Sequence, residues 1–203
     1  MPLTIMPSTI KSRPVYEGLR PMAAARRNLV MVEGSAGVAA AARMLAAAPE
    51  GFASRSWLLT AATSSADLDA LRSLGTAGLA VFPAGGELLI ALDAELTTAT
   101  MGVRCYAAGT EGFVGQVVRL AIDHGIDHKS VLTEHSGSLV RRVQCVHCKL
   151  TADAVTTSMY ECEGCGNLLF VRDHYSRRLA AFQGVCVNAE DPTERPVAED
   201  LYP

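Results

Sequence analysis

Cys145-Val146-His147-Cys148 and Cys162-Glu163-Gly164-Cys165 are two C-x-x-C pairs with thirteen residues between them. Two cysteines three apart on a tight turn can direct both sulfurs at one ion, and two such turns at neighbouring hairpins complete a tetrahedron of thiolates. Gly164 and Gly166 are expected to ease the second turn into backbone angles that bulkier residues resist. Four thiolates with no open position suit a structural zinc ribbon. They also suit a rubredoxin-type mononuclear iron that carries one electron, and the residue types do not separate zinc from iron. A ferredoxin-type cluster fits less well, because the cysteines lack its clustered spacing. Cys145, Cys148, Cys162 and Cys165 are therefore the expected metal ligands.

The other chemistry-bearing residues give weaker signals. Cys105 and Cys186 lie in apolar runs and read as packed thiols. His147 sits inside a turn of the metal site and His174 follows a ribbon strand, so either is an alternative ligand or a donor to the thiolates. His124, His128 and His135 face no carboxylate cluster in the sequence and read as surface or helix-end residues. No G-x-S-x-G elbow, H-E-x-x-H pair or P-loop is present, so no catalytic residue is assigned. Lys and Arg together number 18 against 21 Asp and Glu, a net charge of −3, and aromatic residues make up 5%. Neither the charge nor the aromatic content suits a nucleic-acid partner. Met1–Ile10 has no signal-peptide pattern and no apolar run is long enough to span a bilayer, so no membrane association is expected and a reducing, cytoplasmic location is.

The elements that must position these residues alternate between short apolar runs and helical stripes. Leu29–Val32, Ser56–Thr60, Gly78–Phe82, Val103–Ala107 and Ser130–Thr133 read as strands. Between them lie helical patterns: Val38, Ala41, Ala42 and Leu45 on one face, Leu68, Leu71 and Leu74 behind a Ser64/Asp67 capping box, Leu88–Leu96, and Glu111–Asp123. The expected class is α/β, an open and mainly parallel sheet flanked by helices, followed by a small β module of zinc-ribbon or rubredoxin type. Leu139-Val140 and Leu168–Val171 are its expected strands. The expected organisation is a flexible basic arm (1–27), an α/β lobe (28–137), the four-cysteine ribbon (138–187) and an acidic, extended or disordered tail (188–203). In the arm Lys11, Arg13, Arg20, Arg26 and Arg27 face Glu17 alone.

At the end of the first strand, Glu33-Gly34-Ser35-Ala36-Gly37 is a glycine turn that can hold a phosphate on backbone N–H groups or merely turn the chain into a helix. With Trp57-Leu58-Leu59, Tyr106-Ala107-Ala108-Gly109-Thr110-Glu111-Gly112-Phe113 and Val131-Leu132-Thr133-Glu134-His135, it resembles the nicotinamide-nucleotide lobe of ferredoxin-reductase-like oxidoreductases, particularly the phthalate dioxygenase reductase type. The resemblance covers roughly residues 28–136 and implies NADPH contacts at Gly34, Ser35, Gly37, Gly109, Thr110 and Glu111. That family has Cys-Gly-Pro where this chain has Ala108, Gly109 and Thr110, and it places a flavin barrel ahead of the lobe, for which the 27 residues before Asn28 leave no room. An autonomous flavin reductase is therefore not expected. The lobe either retains nucleotide binding or serves as a docking scaffold, with the scaffold favoured.

A reductase-like lobe, then the four-cysteine ribbon, then His174-Tyr175-Ser176-Arg177-Arg178-Leu179-Ala180-Ala181-Phe182-Gln183-Gly184-Val185 is similar to the DmmA-type subunit family of dimethylamine monooxygenase, over nearly the whole chain. The resemblance implies an NADPH- and O₂-using complex that demethylates dimethylamine to methylamine and formaldehyde. It places haem on one partner subunit, and FMN and a 2Fe-2S cluster on a separate reductase subunit. The expected role here is an accessory subunit joining those two, with charged contacts from the arm and Arg177-Arg178. The alternatives are an electron relay through iron at the four cysteines and a free-standing zinc-ribbon regulator.

Overall fold

The computed structural model describes residues 12–203 apart from positions 192 and 194. Lys11 and the rest of the expected arm ahead of it lie outside the described residues. The chain divides into two compact units, Tyr16–Ser138 and a second formed by Leu139–Pro203 together with residues 12–15. Among the described residues no helix is long and apolar enough to cross a membrane.

The first unit is organised by strand β1 (Arg27–Glu33), whose five central residues are all buried. Side chains alternate across a strand, so an unbroken apolar run serves two cores at once. Leu29 and Met31 enter one core with Leu88, Leu92, Val114 and Val117. Val30 and Val32 enter the other with Val38, Ala41, Met44 and Leu71. The remaining elements are α1 (Gly34–Ala46), β2 (Ser56–Ala61), α2 (Ser65–Arg72), β3 (Gly78–Phe82), α3 (Gly85–Thr97), β4 (Val103–Gly109), α4 (Glu111–Asp123) and β5 (Val131–His135). The sheet order is β3-β2-β1-β4-β5 and every pairing is parallel. Helices α1 and α2 supply one core and α3 and α4 the other, giving the expected α/β layers. The capping box at Ser64 and Asp67 forms as the spacing implies, with both reciprocal bonds present.

Residues 16–26, expected to belong to a flexible arm, instead run along this unit. Gly18 N–H donates to Thr133 O (3.1 Å), Met22 N–H to Tyr106 Oη (3.1 Å) and Arg26 N–H to Gly102 O (3.0 Å). Pro21 interrupts any helix here, and backbone without regular structure can still donate to loops and side chains.

The second unit is a five-stranded sheet ordered β7-β6-β10-β9-β8, comprising β6 (Arg141–Cys145), β7 (Thr151–Val155), β8 (Met159–Glu161), β9 (Leu168–Ser176) and β10 (Ala181–Cys186). Its β6–β10 pairing is parallel and the others are antiparallel. Leu139-Val140, expected as a strand, lies before β6; the first ribbon strand is Arg141–Cys145. The charge at Arg141 hides this strand from a reading of apolar runs, because arginine is seldom buried. Here it is 4% exposed, stacked between the rings of Phe182 and Tyr202 at 4.0 Å from each centroid. Its guanidinium also donates to Asp173 Oδ1 (2.6 Å) and Tyr202 Oη (2.9 Å).

Tyr202 belongs to the expected tail, which is extended and fastened to the ribbon. Ser158 N–H donates to Glu199 O (2.8 Å), Tyr202 N–H to Thr156 O (2.8 Å), and Leu139 N–H to Pro203 O (2.7 Å). Tyr202→Ala removes one ring and one hydrogen bond from a buried cation, and should cost the ribbon roughly 2–3 kcal/mol. Tyr202→Phe, which keeps the ring, should cost about half as much. Urea titration with amide exchange read at β6 measures both, and equal losses in the two variants would show that the hydroxyl alone matters.

Candidate metal centre and the crevice of the α/β lobe

Each cysteine pair sits on a hairpin turn, and the two turns repeat one hydrogen-bond pattern. Between β6 and β7, Cys145 N–H donates to Leu150 O (2.9 Å) and Lys149 N–H to Cys145 O (3.0 Å). Between β8 and β9, Cys162 N–H donates to Asn167 O (3.0 Å) and Gly166 N–H to Cys162 O (2.8 Å). The residue after the second cysteine is left-handed in both turns, Lys149 at φ 68° and Gly166 at φ 70°. Gly166 thus has the expected backbone role, and Lys149 adopts the same angle despite its side chain. Gly164 is needed for space rather than for its angles, since a Cβ there would lie 3.1 Å from both Cys148 Sγ and Leu150 Cδ2.

The four sulfurs lie within 4.8 Å of one another. Cys145 and Cys165 are 3.8 Å apart and Cys148 and Cys162 are 3.6 Å apart. A tetrahedral ion with sulfur at about 2.3 Å needs S···S edges of about 3.8 Å, which these two edges match, and the whole set lies close enough to converge on one ion. No pair is closed into a disulfide. Cys145 and Cys162 are buried and Cys148 is exposed. At Cys145 burial opposes ionisation, but N–H groups of Cys148 and His147 prevail and bring the thiol down to about 7. Burial and then the neighbouring thiols push Tyr160, packed beside the cluster, up to about 12. The donor set fits zinc or iron, and an ion held by these four thiols would cross-link the two hairpins. Neither His147 nor His174 belongs to the group of close ligand atoms. Cys105 is buried in the lobe core, where burial pushes its thiol up to about 11. Cys186 is partly buried beside Leu169 and donates to Asn188 Oδ1 (3.5 Å).

The residues expected around a nucleotide gather where the strand order turns back, at the carboxyl ends of the adjacent strands β1 and β4. In open α/β sheets this is where ligands bind. Gly34 opens α1, and Gly37 packs against β4, where a Cβ would stand 2.7 Å from Ala108 O. Ser35 donates to Asp67 Oδ2 (2.6 Å). Thr110 caps α4 by accepting from Phe113 N–H, and its hydroxyl donates to Glu33 Oε2 (2.7 Å). Glu111 accepts from the Tyr16 hydroxyl (2.9 Å). Glu33 and Tyr16 carry no motif of their own, and only the adjacency of β1 and β4 and the course of residues 16–26 bring them here.

Residues 8–131 match the family described as dimethylamine monooxygenase subunit DmmA-like, N-terminal domain, and residues 142–185 match its C-terminal domain. The chain belongs to the DmmA-like family. A curated relative within reach of this DmmA-like chain is the heme-dependent oxidative N-demethylase delta subunit of Ectopseudomonas mendocina (strain ymp), 35% identical over 111 residues. The match covers 55% of this chain and 63% of the relative, so it spans less than two thirds of that protein's length. Among solved structures, full-length CYP116B46 from Tepidiphilus thermophilus shares 21% identity at a TM-score of 0.39, over 64% of this chain and 18% of that one.

Cys162→Ser should abolish stoichiometric metal binding and expose the ribbon to protease while the α/β lobe stays folded, because the two units have separate cores. His147→Ala should retain the metal. Affinity for zinc should fall between pH 8 and pH 6, where protons compete for the thiols. Elemental analysis, limited proteolysis and a zinc competition titration at the two pH values read these outcomes.

Proposed function

We propose that this chain is a non-catalytic subunit of a haem-dependent, NADPH- and O₂-using dimethylamine monooxygenase, working in the cytoplasm and joining a haem-bearing subunit to a reductase that carries FMN and a 2Fe-2S cluster. The observation that carries this reading is the pairing of both DmmA-like domains with a relative named as the delta subunit of an oxidative N-demethylase. Demethylation of dimethylamine to methylamine and formaldehyde takes place on the partners. On this chain zinc at Cys145, Cys148, Cys162 and Cys165 holds the ribbon in shape. Arg177 and Arg178, both exposed on the turn between β9 and β10, orient a partner more than they tighten it.

One observation favours electron relay as a second reading. Cys148 is exposed, which gives an iron at this site a short path to a partner's surface. Iron would be cycled between its ferric and ferrous states by the reductase and the haem subunit. Ferric thiolate absorbs visible light and zinc does not, so the colour and metal content of the protein purified from its native complex decide between the two.

Co-expression of all subunits with and without this chain tests the main reading. The expected result is co-purification of this chain and loss of most demethylation when it is left out. Full-rate demethylation by a complex lacking the chain would exclude the linking role.

A further inference from the structure

The crevice between β1 and β4 is the place for a dinucleotide, and the side chain of Glu33 stands in it. Glu33 ends β1 and precedes α1, yet it makes no capping bond to α1. Its carboxylate crosses to the start of α4, where Oε2 accepts from the Thr110 hydroxyl (2.7 Å) and the Thr110 N–H (3.4 Å). Two glycines make room for it. A Cβ at Gly109 would lie 2.8 Å from Glu33 Cβ, and a Cβ at Gly85, the first residue of α3, would lie 3.1 Å from Glu33 Oε1. The ends of β1 and β4 and the starts of α3 and α4 thus close around one carboxylate. Backbone N–H groups at helix starts are the donors that hold phosphate in such folds, and here the donor at Thr110 is taken by the chain's own anion.

The rim is occupied in the same way. Tyr16 donates to Glu111 and its ring lies 5.7 Å from that of His135. Glu134 accepts from Leu19 N–H (3.0 Å) and pairs with Arg43. Ser35, the hydroxyl of the glycine turn, is held by Asp67. A pyrophosphate entering here would meet Glu33, Asp67 and Glu111, and Arg43, which pairs with Glu134, already has a carboxylate partner. The residues present do not fit NADPH.

We infer that Glu33 is an internal anion that replaces the phosphate of a bound nucleotide, so that the lobe keeps the closed form of a dinucleotide fold without a dinucleotide. Gly109 and Gly85 admit the side chain, while Gly37 of the glycine turn serves the packing of α1 on β4.

The test uses the full chain with inorganic pyrophosphate and NADPH as probes. The native protein should show no saturable binding of either by calorimetry or NADPH fluorescence, and no rise in the melting temperature of the lobe. Glu33→Ala removes the charge and leaves space at the Thr110 donors. It should bind pyrophosphate at least about tenfold more tightly than the native chain, the scale expected when one like charge about 4 Å away is removed at a dielectric between those of water and a protein surface. Glu33→Ser gives a second variant of similar volume if the alanine form does not fold. Saturable NADPH binding by the native chain would overturn the inference, and so would a folded Ala or Ser variant with no gain in pyrophosphate affinity.

Discussion

Four sulfur atoms must reach one point, and the second unit depends on that constraint. Its main apolar cluster holds five buried residues, Val143, Val155, Val171, Tyr175 and Phe182, and a second consists of Leu169 with Cys145 and Cys162. A core this thin does not by itself secure five short strands. The two turns solve the geometric part of the problem in duplicate: the same pair of backbone hydrogen bonds and the same left-handed residue after the second cysteine set each pair of thiols facing the other. The parallel pairing of β10 with β6 then ties the hairpins together, with Gly184 opposite Cys145. At the far end of β6 the buried Arg141 holds Asp173, Phe182 and Tyr202, so the sheet is fastened at both ends by polar or metal-binding groups rather than by a large apolar core.

The lobe is built on the opposite principle. Its central strand is apolar on both faces, and the layers follow from burying each face under two helices. That arrangement leaves the carboxyl ends of β1 and β4 side by side, the position from which dinucleotide folds work. The chain retains the small residues of such a crevice but fills it with Glu33 and lines its rim with residues 16–19.

Membership of the DmmA-like family joins these two halves in one reading. The N-terminal match falls mainly on the α/β lobe and the C-terminal match on the four-cysteine ribbon.

Much of this architecture is legible in local patterns. The spacing Cys145, Cys148, Cys162, Cys165 specifies four converging thiols because the geometry of each turn is set within six residues. The β3 run Gly78–Phe82 and the stripe of α4 from Glu111 to Asp123 have the expected bounds, since amphipathic period and capping act over a few residues. What local pattern could not give is pairing across the chain. Glu33 and Thr110 are 77 residues apart and meet because β4 returns beside β1. Arg141 and Tyr202 are 61 apart and stack because the tail folds back over Thr156. By itself the sequence determined the α/β class, the four converging cysteines and the separate ribbon, all consequences of short-range spacing. Only the tertiary structure decided that the glycine crevice holds a glutamate and that a buried arginine fastens the ribbon, because both depend on strand order and chain return, which bring distant residues within hydrogen-bond reach.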